Sequence, residues 1–217
     1  MIIFLKLNDL KKLKRLFCLT TFVGIILFMI LLFIAIFTYP VPYSFWGHYL
    51  SVLGKTRTDF GLLANPISSI LFFVALIILG TLFIPFWVIL QSSFNKKDNR
   101  DLSFWGTVFG VISSLSLIGV AIYPSDIDKN MHNFFATGFF LSLAAAILLY
   151  SIVMLNYKYN SKYYAYIGFL VLILTFFHIF SSISRPFFQK LSVFGFIAWI
   201  VIQTIKIWKL IDIENDS

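Results

Sequence analysis

The chain has 217 residues, of which 60% are hydrophobic and only 12% charged, with 27 phenylalanines and a mean hydropathy of +0.93. A water-soluble globule of that composition would leave too much apolar surface in solvent, so the chain is read as one integral membrane domain, 1–217. The net charge of +8 does not point to nucleic acid, because the lysines and arginines stand in short clusters between apolar runs, as topology signals do.

Residues 1–15 carry Lys6, Lys11, Lys12, Lys14 and Arg15 and lead into an apolar run over 16–38. At 23 residues that run spans about 35 Å as a helix, longer than the apolar core of a signal peptide, and it lacks a small-residue cleavage site. It is the first of six expected membrane spans, at about 16–38, 65–91, 102–123, 132–155, 163–184 and 191–210. The single cysteine, Cys18, lies within the first run and offers no disulfide or CxxC site.

The one long interruption is Tyr39 to Asn65. Its middle, Ser44 to Leu53, reads as a short interfacial helix with Ser44, His48 and Ser51 on one face and Gly54 just past its end. Phe45, Trp46 and Tyr49 read as part of an aromatic belt at the headgroups. Asn65-Pro66 then reads as a helix cap followed by proline at the first helical position, with Asn65, Ser68 and Ser69 making a mild polar stripe. Pro85 is expected to kink the second span. On the third, Gly106, Gly110 and Ser114 stand four apart, which permits close helix approach.

Polar hairpins at 95–101 and 157–162 separate the later spans. In the fifth span His178, Ser181, Ser182 and Arg185 have the spacing of one polar helical stripe. Tyr39-Pro40 precedes His48, and Tyr123-Pro124 precedes His132, with seven residues between Pro and His in both, a weak echo of repeated hairpins.

Lysines and arginines number five at the amino terminus, three in the second connection, two in the fourth and two at the carboxyl end, twelve in all. The first, third and fifth connections hold two, one and two. The positive-inside rule then places the protein in the cell membrane with both termini cytoplasmic. His48, His132, His178, Asp59, Asp126, Asp128 and Arg185 all fall at the outer face, which is where polar chemistry is expected to gather. The candidate polar site is therefore Ser51, His48, Asn65, Asp126, His132, His178, Ser181 and Arg185.

Several of these residues also carry a resemblance. Tyr43-Ser44 followed by Ser51, Leu53 and Gly54, then Asn65, then Tyr123-Pro124 with Asp126 and His132, then Arg185 and Trp199, resembles the domain of unknown function 998 family over essentially the whole chain. The resemblance implies a six-span membrane protein, distantly similar to DRAM and Frag type proteins, with a polar outer face. It implies no activity. Val52 stands where that family often has an acid, and Arg185 lacks the acidic neighbour that commonly precedes it.

The fold expected is thus an all-α, polytopic six-helix bundle with a short interfacial helix in the first outer loop. Three functions stay open. One is binding of membrane lipid or a partner through the outer pocket, with Arg185 offering a planar donor fork to phosphate. A second is a metal-dependent lipid hydrolase, zinc being held by His48, His132, His178 and Asp126, although no HxxxH or HExxH spacing supports it. The third is transport of a small solute, against which stands the lack of paired acids within the spans. The sequence carries no phosphate loop or dinucleotide fingerprint, and nothing in it identifies a protein partner or an oligomeric state. The acidic end, Asp212, Glu214 and Asp216, reads as a solvated tail.

Overall fold

The computed structural model describes residues 7–58, 63–94, 100–156, 162–181 and 185–216. Six helices follow one another: α1 (Leu7–Thr38), α2 (Pro66–Ser92), α3 (Arg100–Ile122), α4 (Lys129–Asn156), α5 (Tyr163–Phe180) and α6 (Arg185–Asp216). Each is long and apolar enough to cross a bilayer, so this is an all-α, multi-pass membrane protein. A bilayer offers no hydrogen-bond partner for open backbone, which is why the spans are helical throughout. Among the described residues the extended pairing is limited to one isolated bridge, Arg57 with Ala64.

Each helix packs on the next, and α6 returns to α1 to close the ring. The start of α1 and the end of α6 lie at one end of the bundle, where Arg15 Nη2 donates to Asp212 Oδ1 at 2.7 Å. The α1–α2, α3–α4 and α5–α6 connections gather at the opposite end, here called the loop end.

Large aromatic rings fill the middle. Trp87 of α2 stacks on Tyr150 of α4 with centroids 6.2 Å apart and meets Trp199 of α6 at 6.3 Å, and all three are fully buried. The small stripe of α3 is what admits them. A Cβ on Gly110 would stand 2.1 Å from the Trp87 ring, and one on Gly106 would stand 2.9 Å from Tyr150. Ser114 Oγ accepts the Trp87 indole N–H at 3.2 Å. The Tyr150 hydroxyl lies 2.6 Å from Thr107 Oγ1 and donates to the Ser103 carbonyl. The stripe expected on this helix is therefore a packing face, and Ser114 within it, with Ser103 and Thr107 beside it, satisfies the Trp87 N–H and the Tyr150 O–H that burial would otherwise leave unpaired.

Three expectations need correction. The fifth span ends at Phe180 and the sixth begins at Arg185, several residues earlier than its expected start. Ser181 is extended (φ −76°, ψ 140°), so His178, Ser181 and Arg185 do not form a stripe on one helix; Ser182 lies outside the described residues. The reason is Pro186, second in α6: its missing N–H costs nothing in a first turn but would break a helix running on from α5.

The short helix expected at Ser44–Leu53 is confined to a 3-10 helix, Leu50–Gly54, preceded by a turn in which Ser44 O accepts His48 N–H at 2.9 Å. Distant groups take the backbone partners that a longer helix would use. Leu50 N–H donates to Gln189 Oε1 at 2.8 Å, and His48 O accepts Lys190 Nζ. Ser44, His48 and Ser51 consequently share no helical face. The Tyr-Pro and histidine echo also folds two ways, His48 lying in this turn and His132 in the first turn of α4.

The hairpin residues 95–99 and 157–161, and Asp59, lie outside the described residues, as do the side chains of Glu214 and Asp216. Helix α2 continues through Pro85.

Candidate functional site

The first connection folds as a strap that is fastened from four sides. From α6, Lys190 donates to the carbonyls of His48 and Pro186, and its ammonium stands over the rings of Tyr43 (5.5 Å) and Phe45 (5.1 Å). Gln189 beside it holds Leu50. From α2, Asn65 Nδ2 donates to the carbonyls of Leu53 and Lys55, and Ser68 Oγ donates to Leu53 as well. From the α3–α4 connection, Asp126 Oδ2 accepts Thr56 N–H (2.8 Å), Thr56 Oγ1–H (2.7 Å) and Arg57 N–H (3.1 Å). From within the strap, Tyr43 Oη donates to His48 O at 3.3 Å, and burial together with Tyr39 pushes that phenol above its usual range, so it stays a donor. Between these fastenings the buried Leu50, Val52 and Leu53 anchor the 3-10 helix, and Ser51 is turned to the cavities.

Those cavities share part of their lining. A cleft of about 730 Å³ opens at the loop end. One face of α4 forms its floor, with Lys129, His132, Asn133, Ala136, Thr137 and Phe140 at i, i+3, i+4, i+7, i+8 and i+11. His178 and Ile179 of α5, Arg185 and Gln189 of α6, and Tyr49, Ser51 and Lys55 of the strap form its walls. Its lining holds three cationic side chains, Lys55, Lys129 and Arg185, and among the described residues no carboxylate. Below lies an apolar chamber of about 60 Å³ walled by Phe28, Leu76, Leu79, Phe139 and Phe196. Ser51, His132, Ala136, Phe140 and Gln189 line both spaces, so polar mouth and apolar interior are continuous.

The histidines are held differently. His132 Nδ1 lies 2.8 Å from the Tyr123 carbonyl, which can only accept, so the proton sits on Nδ1 and a neutral ring keeps its lone pair on Nε2. The side-chain ring of Tyr123, whose backbone supplies this carbonyl, stacks on Phe135 at 5.5 Å. His178 donates through Nδ1 to Arg185 O at 3.4 Å and lies against Phe140 at 4.4 Å between centroids. Arg185 Nε donates to Ser181 O at 2.7 Å, which fixes the plane of the guanidinium and leaves its terminal nitrogens for an anion.

Of the residues singled out from sequence, Ser51, His132, His178 and Arg185 come together around the cleft. Asn65 and Asp126 hold the strap instead, and Ser181 contributes a carbonyl to Arg185. His48 lies beyond the cleft lining, its Nδ1 accepting Ser44 N–H at 3.1 Å and its ring edge-on to Tyr39 and Tyr43. The proposed zinc set does not assemble: among the described residues no three of His, Cys, Asp and Glu are placed to share a metal. Asp126 is spent on backbone amides and His48 on the turn. Asp128 caps α4 through Met131 N–H.

Sequence reading passed over Lys129, Asn133, Thr137 and Gln189. The helical spacing of the α4 set was the available signal. For Gln189 and Lys190 it was two long polar side chains following Pro186 in an apolar helix.

Among known protein families, the model described as "Protein of unknown function (DUF998)" matches residues 22–211. Neither the curated proteins nor the solved structures compared with this chain give a match.

Proposed function

We propose that this chain, which belongs to the DUF998 family of proteins of unknown function, binds an anionic amphiphile, a membrane lipid with a phosphate-bearing head, in the loop-end cleft. The observation that carries the reading is the continuity of a cation-lined cleft with an apolar chamber through Ser51 and His132. Lys129 and Arg185 supply charge, with Lys55 beside them in the lining. Asn133, Thr137 and Ser51 supply neutral hydrogen-bond partners, and the phenylalanine-lined chamber takes a length of chain. Lysine and arginine bias supports an orientation in the cell membrane with the loop end outside and both termini cytoplasmic, in which the head would belong to the outer leaflet.

The test is native mass spectrometry of protein purified in mild detergent, comparing the parent with Lys129→Gln/Arg185→Gln. Each lost contact at a partly hydrated mouth is worth about 1 kcal/mol, so the pair should weaken retention of phosphatidylglycerol roughly thirtyfold. Equal retention by parent and variant, with both folded, would overturn the reading.

A further inference from the structure

A second opening besides the cleft leads to Ser51 and His132. A groove of about 200 Å³ lies between α2 and α3, lined by Ser69, Ile70, Phe72 and Phe73 on one side and Val120, Ala121 and Ile122 on the other. Its upper end is closed by Ser51, Gly54 and His132.

Its origin is in how the two helices pack. Deeper in the bundle they are pinched together by glycine: a Cβ on Gly80 would stand 2.9 Å from Ser114 O, and one on Gly110 would stand 2.1 Å from the Trp87 ring. Towards the loop end α2 carries Phe72 and Phe73 where deeper turns carry Gly80, and the groove opens there against Val120, Ala121 and Ile122. The rim residues Ile70, Phe73 and Ile122 are 62%, 43% and 54% exposed. On a membrane-spanning surface that exposure is to lipid. Ile70 and Phe73 stand about 6 and 10 Å below the start of α2, which is the depth at which acyl chains begin.

Phe72 is the partition inside this groove. It lines both the groove and the apolar chamber, and its ring rests on the bare Cα of Gly54, where a Cβ would come within 2.7 Å. Three spaces of different chemistry therefore converge on Ser51 and His132: a cationic cleft open at the loop end, an apolar chamber inside, and an apolar groove open sideways to the bilayer.

We propose that the ligand is a two-chain anionic lipid that reaches the cleft sideways between α2 and α3, its head among Lys129 and Arg185 and one acyl chain left in the α2–α3 groove. This rests on the cleft reading above and adds the ligand class and the route. A soluble phosphate would share the head chemistry but would have no use for the groove.

The experiment places the full chain in bilayers of phosphatidylcholine doped with phosphatidylglycerol that carries a photoreactive diazirine on one chain. Adducts are mapped by peptide mass spectrometry. Adducts at Ile70, Phe73 and Ile122 should fall about fivefold or more on addition of excess unlabelled phosphatidylglycerol, and equally in Lys129→Gln/Arg185→Gln. Ile70→Trp/Ile122→Trp, which plugs the rim, should lower adducts at Phe73 by a similar factor. Ile67→Trp, on the exposed lipid-facing side of α2 outside the groove lining, should not. Groove adducts that ignore both competition and the charge variant would mean that the groove sees only bulk lipid, and the lateral route falls. If native mass spectrometry still shows charge-dependent lipid retention, the cleft reading survives that loss. Displacement of the lipid by inorganic phosphate at equal concentration would also overturn the two-chain ligand. Lipid and phosphate binding that are both indifferent to Lys129 and Arg185 would remove the cleft reading itself.

Discussion

Replacing Asp126 by alanine tests whether the strap is held as described. One carboxylate oxygen accepts three hydrogen bonds from Thr56 and Arg57 at 2.7 to 3.1 Å, and these join the α3–α4 connection to the strap. A hydrogen bond to a charged group is worth about 1.5 to 3 kcal/mol when shielded, but Asp126 is exposed and water can replace it, so each bond here is nearer ~0.7 kcal/mol. Three bonds sharing one acceptor sum to about 2 kcal/mol. That is roughly a thirtyfold rise in local opening.

Amide hydrogen exchange in mild detergent reads this directly. Exchange at Thr56 and Arg57 should quicken about thirtyfold in Asp126→Ala and by less in Asp126→Asn, which keeps an acceptor oxygen. The interior of α4 should not respond. A chelator added to the parent should leave the rate where it is, because the carboxylate clamps backbone. Unchanged exchange at Thr56 and Arg57, or an acceleration spread evenly through α4, would refute the reasoning.

Other variants probe the remaining joints. Lys190→Met should quicken exchange across His48–Leu50 and lower the thermal midpoint, since it takes away the donor to the His48 and Pro186 carbonyls; about 1 to 3 kcal/mol is at stake, and an unchanged midpoint would contradict it. Gly110→Val should cost about 3 kcal/mol or more through collision with Trp87, read as loss of the monodisperse peak in size-exclusion chromatography. For sidedness, Ile127→Cys in a Cys18→Ala background should react with an impermeant thiol reagent applied to intact cells, whereas Asp9→Cys should react only after lysis. The reverse pattern would invert the topology.

The membrane spans were legible because length and apolarity alone decide them, and the α3 stripe was legible because small residues four apart have one geometric meaning. The strap was not. Its helix-like spacing from Ser44 to Leu53 is real, but the backbone groups that would propagate that helix find partners 139 and 142 residues away, at Gln189 and Lys190. No local pattern records such a contest. The site was half legible for a related reason. Ionisable residues draw the eye by type, so Ser51, His132, His178 and Arg185 were found together with His48 and Asp126, which have other work. Asn133 and Thr137 were missed because neutral polar residues are unremarkable in a span until the helix face is laid out from Lys129 to Phe140. Pro186 was visible throughout, yet the polar stripe across Ser181 and Arg185 outweighed it in placing the helix boundary.

The distribution of charge ties the proposed orientation to the proposed ligand. Of seventeen lysines and arginines, five fall at the loop end: Lys55, Arg57, Lys129, Arg185 and Lys190. On the proposed outer side positive charge is the disfavoured kind, so what remains there needs a local reason. Three of the five line the cleft, Lys190 holds down the strap that carries Ser51, and the backbone of Arg57 is tied to Asp126. The scarcity from which the proposed topology is read and the concentration that makes the cleft cationic are therefore one pattern. An anionic head in that cleft is what would offset keeping three cations around a space that opens into apolar interior.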